Sequence, residues 1–214
     1  MSGDGELIPI ACVSLRGSLY KVMASSVLLS PTDEAGVSLR RLTVAEYHKL
    51  GEVGVLQPAD RVELFDGLLI QMAPIGPEHQ FILEKLNDVF SEQKKRRFSV
   101  GPGRPIPIAD LNEFQPDLVL FKLEAGTRRQ HISPQQIYLV VEVSDATLKY
   151  DSEKKLLAYQ SAGIPEYWII DVPDACVRVF RLNARGKYER TVVSQGSVAV
   201  QAFPDVLVLL EELF

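Results

Sequence analysis

At 214 residues the chain can bury a sizeable core, and its 46% hydrophobic and 24% charged residues are typical of a folded globular protein rather than a disordered one. A net charge of −5 and an isoelectric point near 5.3 argue against a uniformly basic nucleic-acid binder, although a local basic groove is compatible with them. Cys12 and Cys176 are far apart, which excludes a disulfide framework and a paired-cysteine zinc site and favours a reducing cytoplasm.

The beginning of the chain shows no clear hydrophobic period. We interpret residues 1–40 as a loosely ordered extension, within which Met23 is an alternative start of translation. The most apolar early stretch is interrupted by Arg16 and Lys21, which are costly at the centre of a bilayer, so no membrane span is expected. Residues 41–214 are predicted to form one α/β domain.

Two local patterns open the predicted domain. Thr43 and Glu46 form a capping box, in which each side chain bonds a free backbone N–H of the other residue, so a short helix should follow. Residues Arg61–Phe65 alternate in a strand-like way and run into Asp66-Gly67, a dipeptide that favours a two-residue hairpin turn. Leu68–Met72 is therefore predicted to be the returning strand.

A helix is predicted from Glu78, because apolar residues recur there at helical spacing. These apolar positions are Phe81, Ile82, Leu86, Val89 and Phe90. The pattern ends in the basic run Lys94–Arg97, whose cations complement the helix dipole. We interpret this run as a solvated helix end, with contact to a nucleic-acid backbone as the alternative. Residues 98–108 are expected to be extended.

The second half of the domain alternates between strands and helices. Pro116 introduces a strand at Asp117–Phe121, and the continuous apolar run Ile137–Val143 is typical of a central strand buried on both faces. A helix is expected over Tyr150–Ser161, ended by Gly163. The other predicted elements are a strand at Glu166–Asp171, a hairpin of Val177–Leu182 and Tyr188–Val193, and an edge strand or short closing element at Val206–Leu210.

Two acidic residues stand at informative places in these strands. Asp117 opens one strand and Glu142 lies near the end of another, so their carboxylates come close if the strands are neighbours. Glu142 interrupts an apolar run, where an unpaired carboxylate is costly to desolvate. Mg²⁺ or Mn²⁺ between the acids would make the pair favourable, and the carbonyl of Val143 could add an oxygen ligand. The alternatives are that each acid caps a strand end in solvent, or that a lysine pairs with Glu142.

An ordered series of motifs runs through the predicted domain. It consists of Arg61–Gly67, Met72-Ala73-Pro74, His79, Gln115-Pro116-Asp117, Val141–Asp145, Tyr150-Asp151, Lys155, Tyr159 and Gly163–Trp168. This series resembles the Uma-two family of restriction-endonuclease-like proteins. The resemblance runs from about Leu42 to the C-terminus. It implies an α/β fold of the PD-(D/E)xK nuclease type, a mixed central β-sheet flanked by helices.

The resemblance also implies roles for individual residues. Asp117 and Glu142 match the metal ligands, and Glu63 matches an additional acid beside them. The family pattern has a lysine two residues after the second acid, where this chain has Ser144. The resemblance implies that Lys155, on the following helix, takes the place of that lysine.

Other residues of the matching segment are weaker candidates. Lys154 is the alternative to its neighbour Lys155, although it points about 100° away around a helix. His79 and Tyr159 are candidate substrate contacts, and for His79 a structural role at the start of its helix is as compatible with the pattern.

Three residues are given no catalytic part. His48 and His131 have no metal-ligand spacing to another candidate, and we assign them no role. Asp151 is interpreted as a first-turn helix acid, favourable at that end of the helix dipole.

These patterns together predict a cytoplasmic endonuclease that hydrolyses phosphodiester bonds in DNA with Mg²⁺ or Mn²⁺. Glu63, Asp117, Glu142 and Lys155 are the expected catalytic residues. Nucleic acid is the expected partner, and a homodimer is expected because nucleases of this fold often pair to cut both strands. The alternatives are a non-catalytic nucleic-acid-binding or dimerisation module that keeps the fold, and a metal-dependent hydrolase of a smaller substrate.

Overall fold

The computed structural model of the chain describes residues 40–124 and 131–214. The predicted N-terminal extension, apart from Arg40, and the alternative start at Met23 lie outside the described residues. Residues Arg41–Phe214 form one compact unit. Within the described ranges, no helix has both the length and the apolar character needed to cross a membrane.

The described residues form helices at two places along the first half of the domain and one longer helical segment in the second. The helices are α1 (Val44–Glu52), α2 (Pro77–Gln93), α3 (Leu148–Tyr150) and α4 (Leu156–Ser161), and the π-helical turn Asp151–Lys155 joins the last two. Single helical turns occur at Pro58–Asp60, Pro134–Gln136 and Leu210–Glu212.

The strands of the described residues fall into three sheets. They are β1 (Val62–Phe65), β2 (Leu68–Gln71), β3 (Phe98–Pro102), β4 (Ile106–Pro107), β5 (Glu113–Phe114), β6 (Leu118–Lys122), β7 (Ile137–Ser144), β8 (Glu166–Asp171), β9 (Cys176–Leu182), β10 (Tyr188–Val193), β11 (Ser197–Val200) and β12 (Phe203–Leu209). The six-stranded sheet has the order β10-β9-β8-β7-β6-β3, the four-stranded sheet has the order β2-β1-β5-β4, and β11 pairs with β12.

The six-stranded sheet is mixed, as predicted. Its strand pairs are antiparallel except for β7 and β8, which are parallel. Parallel neighbours need a crossover connection, and here the segment from α3 to α4 provides it. The crossover helix therefore begins beside the end of β7, close to Glu142. The predicted α/β fold with a mixed central sheet flanked by helices is confirmed.

The central strand β7 is buried on both faces, which confirms the expectation from its apolar run. Because side chains alternate across a strand, Leu139 and Val141 pack in the core that contains α2, β11 and β12. Val140 points to the opposite core, together with Tyr159 of α4 and Phe114 of β5. Each side of the sheet thus has its own apolar core.

The capping box and the hairpin form as their sequences predict. The backbone N–H of Thr43 donates to Glu46 Oε2 at 2.9 Å, and that of Glu46 donates to Thr43 Oγ1 at 3.2 Å. Asp66 and Gly67 have φ angles of 51° and 73°, the left-handed values that a tight two-residue hairpin turn between β1 and β2 requires. Both patterns depend only on neighbours in the chain.

Helix α2 differs from its prediction at two points. Ile82, Leu86 and Phe90 are buried, but Phe81 is 45% exposed because it lies one residue away from that buried stripe. The helix ends at Gln93, so the basic run Lys94–Arg97 follows the helix instead of forming its last turn. Lys95 and Arg96 within that run have positive φ values, which end the helix.

The closing element is a strand in a sheet of its own. The predicted range Val206–Leu210 is largely β12, which pairs antiparallel with β11. Strand β11 has no counterpart in the prediction. Val198 and Val200 of β11 and Val206 and Val208 of β12 cover the core on the α2 side of the central sheet.

Candidate active site

Asp117 and Glu142 face each other across neighbouring antiparallel strands. The register of β6 and β7 pairs Leu118 with Val141, so Asp117, one residue before β6, lies opposite Glu142. Carboxylates at cross-strand separation repel each other when both are ionised. The condition on which the sequence argument depended, that the two strands are neighbours, is met.

Further charged groups converge on the same place. A cavity of about 110 Å³ is lined by Glu63 from β1, by Asp117 and Glu142, and by Asp151 and Lys155 from the π-helical turn. Apart from Asp117, which is 15% exposed, these side chains are buried. The ammonium group of Lys155 therefore shares this cavity with four carboxylates, three of which it contacts, in a space of low dielectric constant.

Asp117 is held by two donors. Its Oδ2 accepts from the backbone N–H of Val143 at 2.7 Å and lies 3.1 Å from Nε2 of His79, in the first turn of α2. His79 is thus a neighbour of the predicted metal ligand, in agreement with the suggestion that it contacts the site. Val143 also lines the cavity, and the part of its carbonyl as a metal ligand stays a prediction.

Glu142 is bound from the crossover helix. Its Oε1 accepts from Lys155 Nζ and from the Tyr159 hydroxyl, each at 3.0 Å. Burial raises the pKa of Glu142 well above its ordinary value; the charge of Lys155 lowers it, and the neighbouring carboxylates raise it further. The charge of Lys155, and that of any further cation bound here, therefore favours the ionised form of this carboxyl group.

Lys155 is the lysine that enters the site. Its Nζ lies 3.3 Å from Glu63 Oε2, in addition to the contact with Glu142, and 3.7 Å from Asp151 Oδ1. Burial lowers the pKa of Lys155, but the three carboxylates outweigh that effect and hold it well above its ordinary value. Lys154 is partly exposed and forms no ion pair within the described residues.

Asp151 lies in the first turn of the π-helical segment, in agreement with its interpretation as a helix acid, but it is also part of the cavity. It is buried, and its Oδ2 accepts from the hydroxyls of Ser144 at 2.7 Å and of Thr147 at 2.6 Å. The helical segment begins at Leu148, before the predicted start, so Asp151 lies inside it. The four-residue spacing of Asp151, Lys155 and Tyr159 is a signal that could have found it, since such residues share one helix face.

Tyr159 was suggested from the sequence as a substrate contact, and that role stays a prediction. Its side chain is fully buried, and its hydroxyl is occupied by Glu142. Its ring packs in the core against Phe114 and Tyr167. Tyr159 therefore orients the Glu142 carboxylate from the core side.

Two buried polar atoms of the cavity form no hydrogen bond of good geometry within the described residues. They are Nδ1 of His79 and the hydroxyl oxygen of Tyr150, which lies beside Glu63, and both residues line the cavity. Burial, followed by the charge of Glu63, raises the pKa of Tyr150, so its hydroxyl keeps its proton. Unpaired buried polar groups are costly, which makes both atoms candidates for contact with a bound ligand. Tyr150 was matched to the family in the sequence but given no role.

The donor set fits a hard divalent cation. The hydrogen bonds to Asp117 within the described residues use Oδ2, and those to Glu142 use Oε1, so Oδ1 and Oε2 are left for a ligand. Mg²⁺ and Mn²⁺ take such oxygen ligands. A divalent ion would also offset the excess of carboxylates over ammonium groups.

The histidines that were given no role come together at a second place. His48, His131 and the buried Glu113 offer ligand atoms that all lie within 4.8 Å of one another. Spacing along the chain could not reveal this group, because α1, β5 and the loop before β7 meet only in the folded domain.

Comparison with known proteins agrees with this architecture. A crystal structure of a putative nuclease belonging to DUF820 from Anabaena variabilis ATCC 29413 shares the fold, with a TM-score of 0.65 and 20% sequence identity over 81% of this chain and 97% of that chain. No curated protein matches the chain. The model of the Uma-two (Uma2) family, described as putative restriction endonuclease, matches residues 44–211, and the chain belongs to that family.

Proposed function

We propose that the protein is a metal-dependent endonuclease that hydrolyses phosphodiester bonds in DNA, with Mg²⁺ or Mn²⁺ as cofactor. The observation that carries this proposal is the convergence of Asp117 and Glu142 with Lys155 in one cavity. Carboxylates that lie close together despite their mutual repulsion, with perturbed pKa values, are typical of catalytic sites.

Asp117 and Glu142 would hold the ion, with Glu63 and the carbonyl of Val143 as further oxygen donors. Bound there, the ion would supply Lewis acidity and offset negative charge on the phosphodiester. His79 fixes the orientation of Asp117, and Tyr159 fixes that of Glu142. These positioning contacts keep the acids in place against their mutual repulsion.

We assign to Lys155 the stabilisation of the negative charge that develops on the phosphate during cleavage. Because its pKa is held well above the ordinary value, it stays protonated at neutral pH and cannot act as a general base. A fixed ammonium group in a buried site stabilises the charge that develops on the phosphoryl oxygens. The Tyr150 hydroxyl, beside Glu63, and His79 Nδ1 are placed to bind the substrate or a water molecule in the cavity.

The position of Lys155 favours an active enzyme over a non-catalytic module. Ser144 in the family's lysine position and the acidic isoelectric point were the two reasons to consider a module without activity. The crossover helix supplies Lys155 to Glu142 at hydrogen-bond distance, which supports retained catalysis. DNA as the substrate, a homodimer that presents two sites to the two strands, and action in the cytoplasm belong to the same proposal.

The test is cleavage of supercoiled and single-stranded DNA by the purified full chain with Mn²⁺ or Mg²⁺. We expect cleavage by the wild-type chain and none by Asp117→Ala or Glu142→Ala, with weaker Mn²⁺ binding by both variants in calorimetric titration. If the wild-type chain leaves DNA intact with every divalent metal and at every pH tested, the nuclease proposal is rejected. Cleavage of small phosphodiesters alone would favour a hydrolase of smaller substrates.

A further inference from the structure

Two imidazoles and one carboxylate converge away from the candidate active site. His48 belongs to α1, Glu113 to β5, and His131 to the segment before β7. His48 Nε2 lies 2.7 Å from Glu113 Oε2, and the rings of His48 and His131 stack with their centroids 4.9 Å apart. One ligand atom from each residue lies within 4.8 Å of the others.

The group has the burial profile of a site that opens to solvent. The Glu113 side chain is 7% exposed and that of His48 is 34% exposed, while His131 is an exposed residue. All three line a cavity of about 560 Å³. The carboxylate thus lies at the base of this cavity, and the imidazoles lie between it and solvent.

We propose that His48, Glu113 and His131 form a second metal site, which takes Zn²⁺. Two imidazoles and a carboxylate are ligands that suit Zn²⁺, and three protein ligands leave the fourth tetrahedral position to water. Mg²⁺ prefers an all-oxygen shell, so the chemistry of the donors separates this site from the one at Asp117.

The distances are those of a metal-free site that closes by a small movement. Ligand bonds of about 2.1 Å to a tetrahedral Zn²⁺ place ligand atoms roughly 3.4 Å apart. His48 Nε2 and Glu113 Oε2, at 2.7 Å, are closer than this and would move slightly apart to admit the ion. His131 is exposed, so rotation of its side chain can supply the remaining approach.

A shared cation explains more of the cluster than an ion pair does. An ion pair accounts for His48 and Glu113, but it leaves the stacked ring of His131 without a function. A cation bound by all three residues accounts for the second imidazole and for the burial of Glu113.

The site would connect parts of the chain that are distant in sequence. Glu113 pairs with Leu64 of β1, next to Glu63 of the candidate active site, and Arg61 lines both cavities. Zn²⁺ bound here would tie α1 and the segment before β7 to the sheet that carries Glu63. The proposal does not depend on nuclease activity, because its expected readouts are metal binding and stability.

The experiment uses the full chain, freed of any affinity tag, titrated with Co²⁺ as a spectroscopic probe and with Zn²⁺ by calorimetry. We expect one equivalent of Co²⁺ to give the intense visible absorption of a four-coordinate ion, displaced by Zn²⁺. His131→Ala and His48→Ala should each weaken Zn²⁺ binding by about 100-fold or more, since loss of an outer partner alone costs about 10–100-fold. Thermal melts should show Zn²⁺ stabilising the wild-type chain but not these variants.

Matched controls separate this site from the proposed active site. His79→Ala removes a histidine that contacts Asp117, and Asp117→Ala removes a ligand of the other cation; both should keep the Zn²⁺ site. His131 is exposed, so its replacement leaves the core intact. Wild-type affinity in His131→Ala, loss of Zn²⁺ binding in Asp117→Ala, or no binding by the wild-type chain would each overturn the proposal.

Discussion

The ammonium group of Lys155 lies 3.0 Å from Oε1 of Glu142, and both side chains are buried. The two residues come from consecutive elements, β7 and the helical segment that crosses from β7 to β8. A lysine two residues after the acid would reach the same carboxylate from within the strand. Here the π-helical turn brings it from the next element, and Ser144 instead binds Asp151.

Replacing Lys155 should separate catalysis from metal binding. Lys155→Ala is expected to lower the DNA cleavage rate by about 100-fold or more, the usual effect of losing one group that stabilises the transition-state charge. Mn²⁺ affinity should change far less, because the ligand oxygens stay. The matched control is Lys154→Ala, at a partly exposed position, which should cleave at the wild-type rate. A harmful Lys154→Ala with a silent Lys155→Ala would reverse the assignment.

The same lysine should matter for stability in the absence of metal. Lys155→Met leaves Glu142, Glu63 and Asp151 buried without their cation, and removing one partner of such a group costs about 3–5 kcal/mol. The double variant Lys155→Met/Glu142→Gln should recover part of that loss. Urea unfolding measured without divalent ions gives both values. Equal stability of the single and double variants would mean that carboxylate repulsion is not the cause.

Metal binding should depend on pH through Glu142. The pKa of Glu142 is raised, so its carboxyl group binds a proton more readily in the folded protein, and a cation must displace that proton. As the pH falls through this raised pKa, Mn²⁺ affinity is lost; above it, affinity is complete. The increase in melting temperature caused by Mn²⁺ should therefore become smaller as the pH is lowered. Asp117→Ala should show no such increase at any pH.

Two tyrosines should differ in their kinetic effects. The hydroxyl of Tyr150 lines the cavity beside Glu63, where it can contact substrate, so Tyr150→Phe should raise KM for DNA and change kcat little. The hydroxyl of Tyr159 orients Glu142 from the core, so Tyr159→Phe should lower kcat and leave KM unchanged. Steady-state kinetics on one oligonucleotide substrate measures both. The opposite pattern would exchange the two roles.

A substitution in the turn of the hairpin that carries Glu63 should lower the stability of the domain. Gly67 has a φ of 73°, and a side chain there would also collide with Arg41, so Gly67→Ala should destabilise the domain by about 1–3 kcal/mol. Gly51 in α1 is the control, since nothing lies within 4 Å of an added Cβ and its φ is not in the left-handed region. Gly51→Ala should stabilise by about 0.5–1 kcal/mol. Thermal melts of both variants at one pH provide the comparison.

The parts of the fold that depend on neighbours in the chain could be predicted. The capping box at Thr43, the turn at Asp66-Gly67 and the left-handed Gly163 after α4 each follow from local geometry. The apolar run of β7 likewise indicated a central strand, and the acid within it indicated a site. Glu142 was conspicuous because desolvation penalises a carboxylate among aliphatic residues.

Predictions from local sequence patterns were wrong where the burial of a side chain depends on another element that packs over it. Phe81 has the same apolar character as Ile82, yet only Ile82 faces the sheet. Asp151 could be a solvated helix acid or a buried one, and the difference lies in Ser144 and Thr147, which satisfy its carboxylate. Strand β11 was missed because its burial depends on its partner β12.

Patterns along the chain placed Asp117 at the start of one candidate strand and Glu142 near the end of another, and they showed Ser144 where the family has a lysine. The packing of distant elements established that the two strands are neighbours, that Lys155 rather than Lys154 contacts Glu142, and that His48 and His131 meet at Glu113. The physical reason is the range of the interactions. Hydrogen-bonding patterns and apolar periods act over a few residues and leave a trace in the sequence, whereas charges converge through packing of elements far apart in the chain.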